Sequence, residues 1–176
     1  MVNKNLQAAL ARRALSVIFL GTLLVGILPA AGAANLCPWM NEATASGLLG
    51  ASATGTYAAA TGGRPAVCTF VATEPRGTRS LTINVEEVQD AHERMAAVLR
   101  ECIGEASAVA AIGNEASVCT ANERKDPASE LLAGRVRNQV FSITIKTTLR
   151  NDPTMDQSVL RSKVLIAAEQ VSGNLF

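Results

Sequence analysis

The chain has 176 residues, with 16 Lys and Arg against 15 Asp and Glu, and only 3% of its residues are aromatic. Nucleic-acid binding requires a strongly basic surface that neutralises phosphates. A nearly neutral chain with one Trp, one Tyr and no block of basic residues lacks that surface. We therefore exclude nucleic acid as an expected partner.

Residues 1–34 have the composition of a cleaved secretory signal peptide. The first 13 residues contain three basic residues and no acidic one, and an uncharged run covers residues 14–28. This run is shorter than the roughly 20 apolar residues of a membrane span, and residues 31–33 form an A-x-A cleavage site. Cleavage one residue later fits equally well, and the pair Arg12-Arg13 leaves twin-arginine export open. We expect an exported protein, secreted or periplasmic, with no membrane span after cleavage.

Residues 35–176 are predicted to form a single domain without a lipid anchor. Their net charge is 13 − 15 = −2, and about 140 residues without heptads or long linkers correspond to one domain. A bacterial lipoprotein signal has a small residue directly before its cysteine and an aliphatic residue three positions before it. Here Leu36 precedes Cys37, and Ala34 occupies the aliphatic position. The local sequence therefore argues against lipidation of Cys37.

Four cysteines lie in the exported part of the chain, and their even number in an oxidising compartment predicts two disulfides. They are Cys37, Cys68, Cys102 and Cys119. No pair has C-x-x-C spacing and the chain has a single histidine, so we expect no metal site. Three pairings are open. We favour Cys37 with Cys68 and Cys102 with Cys119, because each bridge would connect the end of a helix to the strand that follows it.

The first predicted elements are a helix and two strands. Residues 41–50 form a short helix with Asn41 as its cap and Gly50 as its stop. Residues 50–56 have the outline of a phosphate-binding loop, but they lack its lysine and follow a helix, so we interpret them as a flexible connection. Residues 66–72 and 81–85 alternate in the manner of strands.

The middle of the chain predicts a second helix and three further strands. Residues 88–102 have an apolar stripe at helical spacing. A tight turn at residues 112–115 leads into a strand over 116–121. Residues 131–137 and 140–147 form a hairpin around Asn138-Gln139, and Phe141, Ile143 and Ile145 share one face of its second strand.

The last helix has Asp152 as its predicted cap, Pro153 at its first position and Gly173 just past its end. Its buried stripe consists of Leu160, Val164, Ala167, Ala168 and Val171. The element order is therefore α-β-β-α-β-β-β-α. This order predicts an α+β fold in which helices pack against a central antiparallel sheet of about five strands, with two disulfides.

Several landmarks together resemble a known family: Cys37-Pro38 before a helix that ends Leu48-Leu49-Gly50, Cys68 in a strand, Cys102 closing a helix, and Ile112-Gly113-Asn114-Glu115-Ala116 before a strand. The chain resembles the small uncharacterised secreted domains that are common among actinobacterial lipoproteins, with a Mog1/PsbP-like fold. The resemblance implies an α+β fold and a role at the cell envelope. It implies no catalytic residue.

The candidates for acid–base chemistry are one histidine and one acidic cluster. His92 is the only side chain with a reference pKa near neutrality, but its helical neighbours include no acid, and we expect it to border the packed face. Glu86, Glu87, Asp90 and Glu93 gather where a strand meets a helix, which helix-dipole stabilisation alone accounts for. Paired carboxylates of a hydrolase are the alternative reading of this cluster.

The candidate for partner binding is a group of cations at the predicted hairpin. Arg135 and Arg137 are expected to share one face of a strand, with Lys146 opposite them. A solvated sheet face is the alternative interpretation, since antiparallel sheets commonly have one wet side. We hypothesise an exported, non-enzymatic module without a cofactor that binds an envelope protein, a polymer or a small ligand. A carboxylate-dependent extracytoplasmic hydrolase is the alternative.

Overall fold

The computed structural model describes residues 36–121 and 128–176. The predicted signal peptide therefore lies outside the described residues. Ten helices and strands follow one another in chain order: α1 (Glu42–Leu49), β1 (Thr54–Ala58), β2 (Ala66–Glu74), β3 (Gly77–Glu87), α2 (Ala91–Leu99), β4 (Cys102–Ala108), β5 (Glu115–Ala121), β6 (Ala128–Val136), β7 (Gln139–Thr147) and α3 (Gln157–Gly173).

The strands form one antiparallel sheet in the order β1-β2-β3-β7-β6-β5-β4. The prediction of an α+β fold with an antiparallel sheet and helices is confirmed, but the sheet has seven strands instead of about five. The predicted strands are present, and β2 and β3 extend into a long hairpin in which Glu74 pairs with Gly77. The β6–β7 hairpin turns at residues 137 and 138, one residue earlier than predicted, because Val136 pairs with Gln139.

Helices cover both faces of the sheet. α1 and α3 share one hydrophobic cluster with Phe141 and Leu132, whereas α2 belongs to a second cluster with Leu131 and Ala133. Because successive residues of a strand point to opposite faces, Leu131 and Leu132 mark the two sides of β6. The predicted alternation in β7 is confirmed, since Phe141, Ile143 and Ile145 all lie in the α1/α3 cluster.

The two strands that the sequence did not predict are the two edges of the sheet. β1 begins inside the segment expected to be a flexible connection, and β4 begins at Cys102, which the sequence assigned to the end of a helix. α2 is correspondingly shorter than residues 88–102, because Asp90 caps it and a turn follows Leu99. Both edge strands have weak apolar alternation, since most of their side chains face solvent.

The ends of α1 are as predicted, and the ends of α3 are not. The Asn41 side chain accepts a hydrogen bond from Thr44 N at 2.8 Å, and Gly50 terminates α1 in the left-handed region. The predicted cap and first position of α3, Asp152 and Pro153, lie before the helix instead. The cap is Asp156, whose side chain accepts a hydrogen bond from Val159 N at 2.9 Å. The helix continues through Gly173 and is capped by Asn174 at its other end.

Asp152 is not a cap because it forms a buried ion pair with Arg79. The Arg79 Nε and Nη2 atoms donate to the two carboxylate oxygens at 2.7 and 3.0 Å, and Thr154 adds hydrogen bonds from its backbone N–H and its hydroxyl. Burial alone would raise the pKa of Asp152, but the hydrogen bonds from Arg79 and Thr154 lower it to about 2. The pair therefore connects β3 to the segment that precedes α3.

Two disulfides connect the pairs that the sequence favoured. Cys37 is bonded to Cys68 in β2, and Cys102 in β4 is bonded to Cys119 in β5. A sulfur in a disulfide cannot also carry a thioether-linked lipid, which agrees with the expectation for Cys37. Two disulfides also agree with an oxidising compartment. Within the described ranges, no helix is long and apolar enough to cross a membrane.

Candidate functional site

A cavity of about 490 Å³ lies where the segment before α1 meets the β1 edge of the sheet. Its lining is mostly apolar and comes from the pre-helical segment, the first residues of α1, and the neighbouring strands β1 and β2. The lining residues are Leu36, Cys37, Met40, Asn41, Glu42, Ala43, Gly55 and Phe70. Most small-molecule sites have a volume of about 300–1,000 Å³ and an apolar lining with few polar groups, so this cavity has the size and the chemistry of such a site.

Local packing fixes the inner wall of the cavity. Phe70 is fully buried and pairs with Gly55 across the β1–β2 ladder. A Cβ atom on residue 55 would lie 2.7 Å from the Phe70 ring, so only glycine lets the ring lie against the backbone of β1. The Cys37–Cys68 disulfide holds the pre-helical segment against β2, the strand that also carries Phe70. These constraints make the apolar wall largely pre-formed.

Glu42 provides the charge at this cavity. Its Oε1 accepts a hydrogen bond from Gly55 N at 2.7 Å, which places the carboxylate between the first turn of α1 and the edge strand β1. Edge strands expose unpaired backbone donors that can pair with another chain. Glu42 therefore satisfies one outward donor of β1 and at the same time places a negative charge in the cavity wall.

A second polar site lies on the α2 side of the sheet, where two side chains contact one carboxylate oxygen of a third. Glu115 Oε2 lies 3.1 Å from His92 Nδ1 and 2.9 Å from Arg135 Nε. Hydrogen bonds from Arg135 and His92 hold the pKa of Glu115 below its ordinary value. If Nδ1 of His92 carries the proton, the Nε2 lone pair faces away from the carboxylate. The His92 side chain is 73% exposed, which corrects the expectation that it borders the packed face.

The predicted turn at residues 112–115 holds this site in place. Gly113 has φ +61°, and a Cβ atom there would lie 2.4 Å from the Arg135 carbonyl oxygen, so the turn packs directly on the backbone of β6. Asn114 donates its N–H to the same carbonyl at 2.8 Å and accepts from Arg137 N at 2.6 Å. The structural interpretation of this turn therefore accounts for both the glycine and the asparagine.

The three predicted partner-binding cations are not brought together. Arg135 is half-buried in β6 and paired with Glu115, whereas Arg137 lies in the β6–β7 turn with φ +55° and not on the strand face where it was expected. Lys146 lies on the same side of the sheet as Arg135, but six residues along β7 from Val140, the partner of Arg135. At about 3.4 Å per residue the separation is about 20 Å. A binding role for these residues stays a prediction.

The acidic cluster is split by the fold. Glu86 pairs with Arg94, and Glu87 accepts a hydrogen bond from Asn138. As neighbours in one strand, Glu86 and Glu87 point to opposite faces of the sheet, so they do not flank a common substrate bond. Asp90 caps α2 by accepting a hydrogen bond from Glu93 N at 2.8 Å, which agrees with a structural role. Among the described residues, no group of three potential metal ligands is close enough to hold an ion.

Sequence reasoning missed the cavity and the carboxylate partner of His92. Glu115 lies 23 residues from His92, and only the register of β5 places it below α2. The G-N-E-A turn was recognised, but as backbone geometry alone. The cavity had no sequence signal, because it requires β1, and β1 has too little alternation to be predicted.

Comparisons of the chain with protein-family models, with curated proteins and with solved structures find no match. The resemblance to the actinobacterial lipoprotein domains therefore stays a prediction.

Proposed function

We propose that this protein is an exported, non-enzymatic binding module that holds a small, mainly apolar ligand in the cavity between α1 and β1. The observation that carries the proposal is the 490 Å³ volume with an apolar lining. Binding in such a cavity needs no catalytic side chain. The location in a secreted or periplasmic compartment is part of the proposal and is supported by the two disulfides.

The energetics of the proposed site come from removing apolar surface from water. Each buried CH₂ group contributes about 0.8 kcal/mol, which corresponds to roughly a fourfold change in Kd. A ligand series that differs only in chain length therefore measures how much of the cavity is used. The rigid wall at Phe70 and Gly55 should limit the ordering cost of binding, since little of the protein has to move.

The test is isothermal titration calorimetry of the exported protein with pentanol, hexanol, heptanol and octanol. We expect the Kd to fall about fourfold with each added CH₂ until the cavity is filled. Ala43→Phe places a ring in the cavity mouth and should weaken octanol binding by tenfold or more. Ala96→Phe makes the same change at an exposed position of α2, outside the cavity lining, and should leave binding unchanged. Absence of octanol binding, or equal effects of the two variants, would refute the proposal.

A carboxylate-dependent extracytoplasmic hydrolase is the second candidate. The observation that favours it is the His92–Glu115 contact, in which the carboxylate orients an exposed imidazole as a general base would require. The paired variant His92→Ala with Glu115→Gln separates the two functions. A binding module keeps its octanol affinity in this variant, whereas a hydrolase loses turnover of whatever ester or glycoside the native protein cleaves.

A further inference from the structure

The charged side chain in the cavity wall indicates which polar head group a ligand would carry. This inference rests on the proposed ligand-binding function. Glu42 is the single charged side chain among the described residues that line the cavity. Hydrophobic burial is non-directional and says nothing about a head group. A charge at the wall therefore decides which head group the cavity accepts.

One oxygen of the Glu42 carboxylate is engaged by β1, and the other is available to a ligand. Oε1 accepts from Gly55 N at 2.7 Å, and among the described residues Oε2 has no hydrogen-bond partner. A carboxylate fixed through one oxygen presents the other in a defined direction without further loss of side-chain freedom. Oε2 of Glu42 is thus an acceptor, already oriented by β1, at the edge of an apolar cavity.

The N-terminus of α1 favours a negatively charged ligand, but its partial positive charge is too small to outweigh the negative charge of Glu42. A helix N-terminus corresponds to roughly half a positive charge, and the Asn41 side chain already occupies the Thr44 N–H. The full negative charge of Glu42 belongs to the same turn. A carboxylate ligand that reached the remaining N–H groups would therefore lie beside a like charge, which disfavours it.

We propose that the cavity selects a cationic amphiphile, an aliphatic primary amine whose chain occupies the apolar cavity and whose ammonium group donates to Glu42 Oε2. Because Glu42 is exposed, its ion pair with an ammonium group contributes up to about 1 kcal/mol, which corresponds to up to about a fivefold preference over a ligand without the charge. The same charge weakens the binding of fatty acids and other anionic amphiphiles. An alcohol of the same chain length binds with an affinity between those of the amine and the carboxylate.

The test uses three probes of one chain length, octylamine, octanol and octanoate, in calorimetric titrations at pH 7 and about 50 mM salt. Octylamine should bind up to about fivefold more tightly than octanol, and octanoate more weakly than octanol. Glu42→Gln keeps an oxygen that accepts from Gly55 N and removes the charge. It should lower octylamine affinity by up to about fivefold, to the level of octanol, and leave octanol affinity unchanged. Ala43→Phe should weaken the binding of all three probes by tenfold or more.

The two proposals fail in different ways. Octanol binding that is lost in Ala43→Phe supports the cavity, whatever the head-group preference. Octanoate that binds as tightly as octylamine, or octylamine affinity that is unchanged in Glu42→Gln, would overturn the selection of amines and leave the cavity standing. As a further readout, raising the salt to about 0.5 M should reduce the octylamine preference and leave octanol binding constant, because salt screens exposed charges.

Discussion

Replacing Asp152 with Asn removes one charge from the buried pair with Arg79 while keeping the shape of the side chain. Arg79 and Asp152 are both almost inaccessible to solvent, at 5% and 6% exposure. In this variant Glu74, whose Oε1 lies 3.0 Å from Arg79 Nη1, still faces the guanidinium. Breaking a buried ion pair that leaves a charge without any partner costs about 3–5 kcal/mol, and the remaining Glu74 contact places the cost here at about 3 kcal/mol. We expect Asp152→Asn to lower the free energy of unfolding by about that amount at pH 7.

The pH dependence of this loss gives a more specific test. The pKa of Asp152 is lowered from 3.8 to about 2 in the folded protein, so the unfolded state binds a proton more readily between these values. The stability that this carboxylate contributes is complete above about pH 5 and is lost as the pH falls toward 2. The difference in pKa corresponds to about 2 kcal/mol. The difference in the free energy of unfolding between wild type and Asp152→Asn, which we call the stability gap, should therefore narrow by about 2 kcal/mol across this pH range.

Urea denaturation at pH 7, 4, 3 and 2, followed by circular dichroism, measures this gap. The matched control is Asp90→Asn, which changes an exposed carboxylate at the N-cap of α2, where asparagine caps as well as aspartate does. This control should stay within about 0.5 kcal/mol of wild type at every pH. A stability gap for Asp152→Asn that remains constant from pH 7 to pH 2 would show that the pKa of Asp152 is not lowered in the folded protein.

Three further predictions address the turn, the disulfides and the cations. Gly113→Ala forces a Cβ atom against the Arg135 carbonyl at positive φ and should lower the thermal midpoint by several degrees. As a control, a Cβ atom at Gly47 in α1 meets no atom within 4 Å, so Gly47→Ala should raise the free energy of unfolding by about 0.5–1 kcal/mol. Paired Cys→Ala replacement should lower the free energy of unfolding by about 3.7 kcal/mol for Cys37–Cys68 and about 3.1 kcal/mol for Cys102–Cys119, because the first bridge closes the longer loop, with a sequence separation of 31 against 17. The opposite order in denaturant titrations would contradict this chain-entropy argument. Arg137→Glu should weaken retention on an immobilised polyphosphate more than Lys146→Glu does, if the β6–β7 turn is the anionic-partner site, and equal losses would indicate a general charge effect.

The elements that could be predicted from the sequence are those whose signals are local. α1 has its cap and its stop within ten residues, and β7 alternates apolar and polar side chains from Phe141 to Lys146. Neither depends on a distant residue. The Gly113-Asn114 turn was likewise recognised from two residues, although its packing partner, the Arg135 carbonyl, became evident only in the structure.

The failures have one physical cause, which is that tertiary partners override local signals. Asp152-Pro153 is a good helix start, but Arg79 lies 73 residues earlier in the chain and binds the Asp152 carboxylate. The helix therefore begins later, at Asp156. β1 and β4 fail for a related reason, since an edge strand takes its conformation from the neighbour to which it pairs. In β4 a register shift between Ile103 and Ser107 further disturbs the alternation.

The two edges of the sheet are protected from pairing with another chain in different ways, and the proposed ligand site lies at the β1 edge. The register shift in β4 distorts its edge, and the exposed Glu105 adds a charge there, two features that discourage pairing with another chain. β1 has neither a bulge nor a charge of its own. Its outward donor at Gly55 is satisfied by Glu42 from α1, so the protection comes from a side chain that also borders the cavity.

A ligand ammonium at Glu42 Oε2 leaves the Gly55 hydrogen bond to Oε1 intact, whereas loss of the whole Glu42 side chain removes both the ligand contact and this hydrogen bond. Glu42→Ala should therefore combine loss of the preference for amines with concentration-dependent self-association, and Glu42→Gln should show the first effect alone. Analytical ultracentrifugation of the two variants separates the role of the charge in binding from the role of the hydrogen bond at the sheet edge.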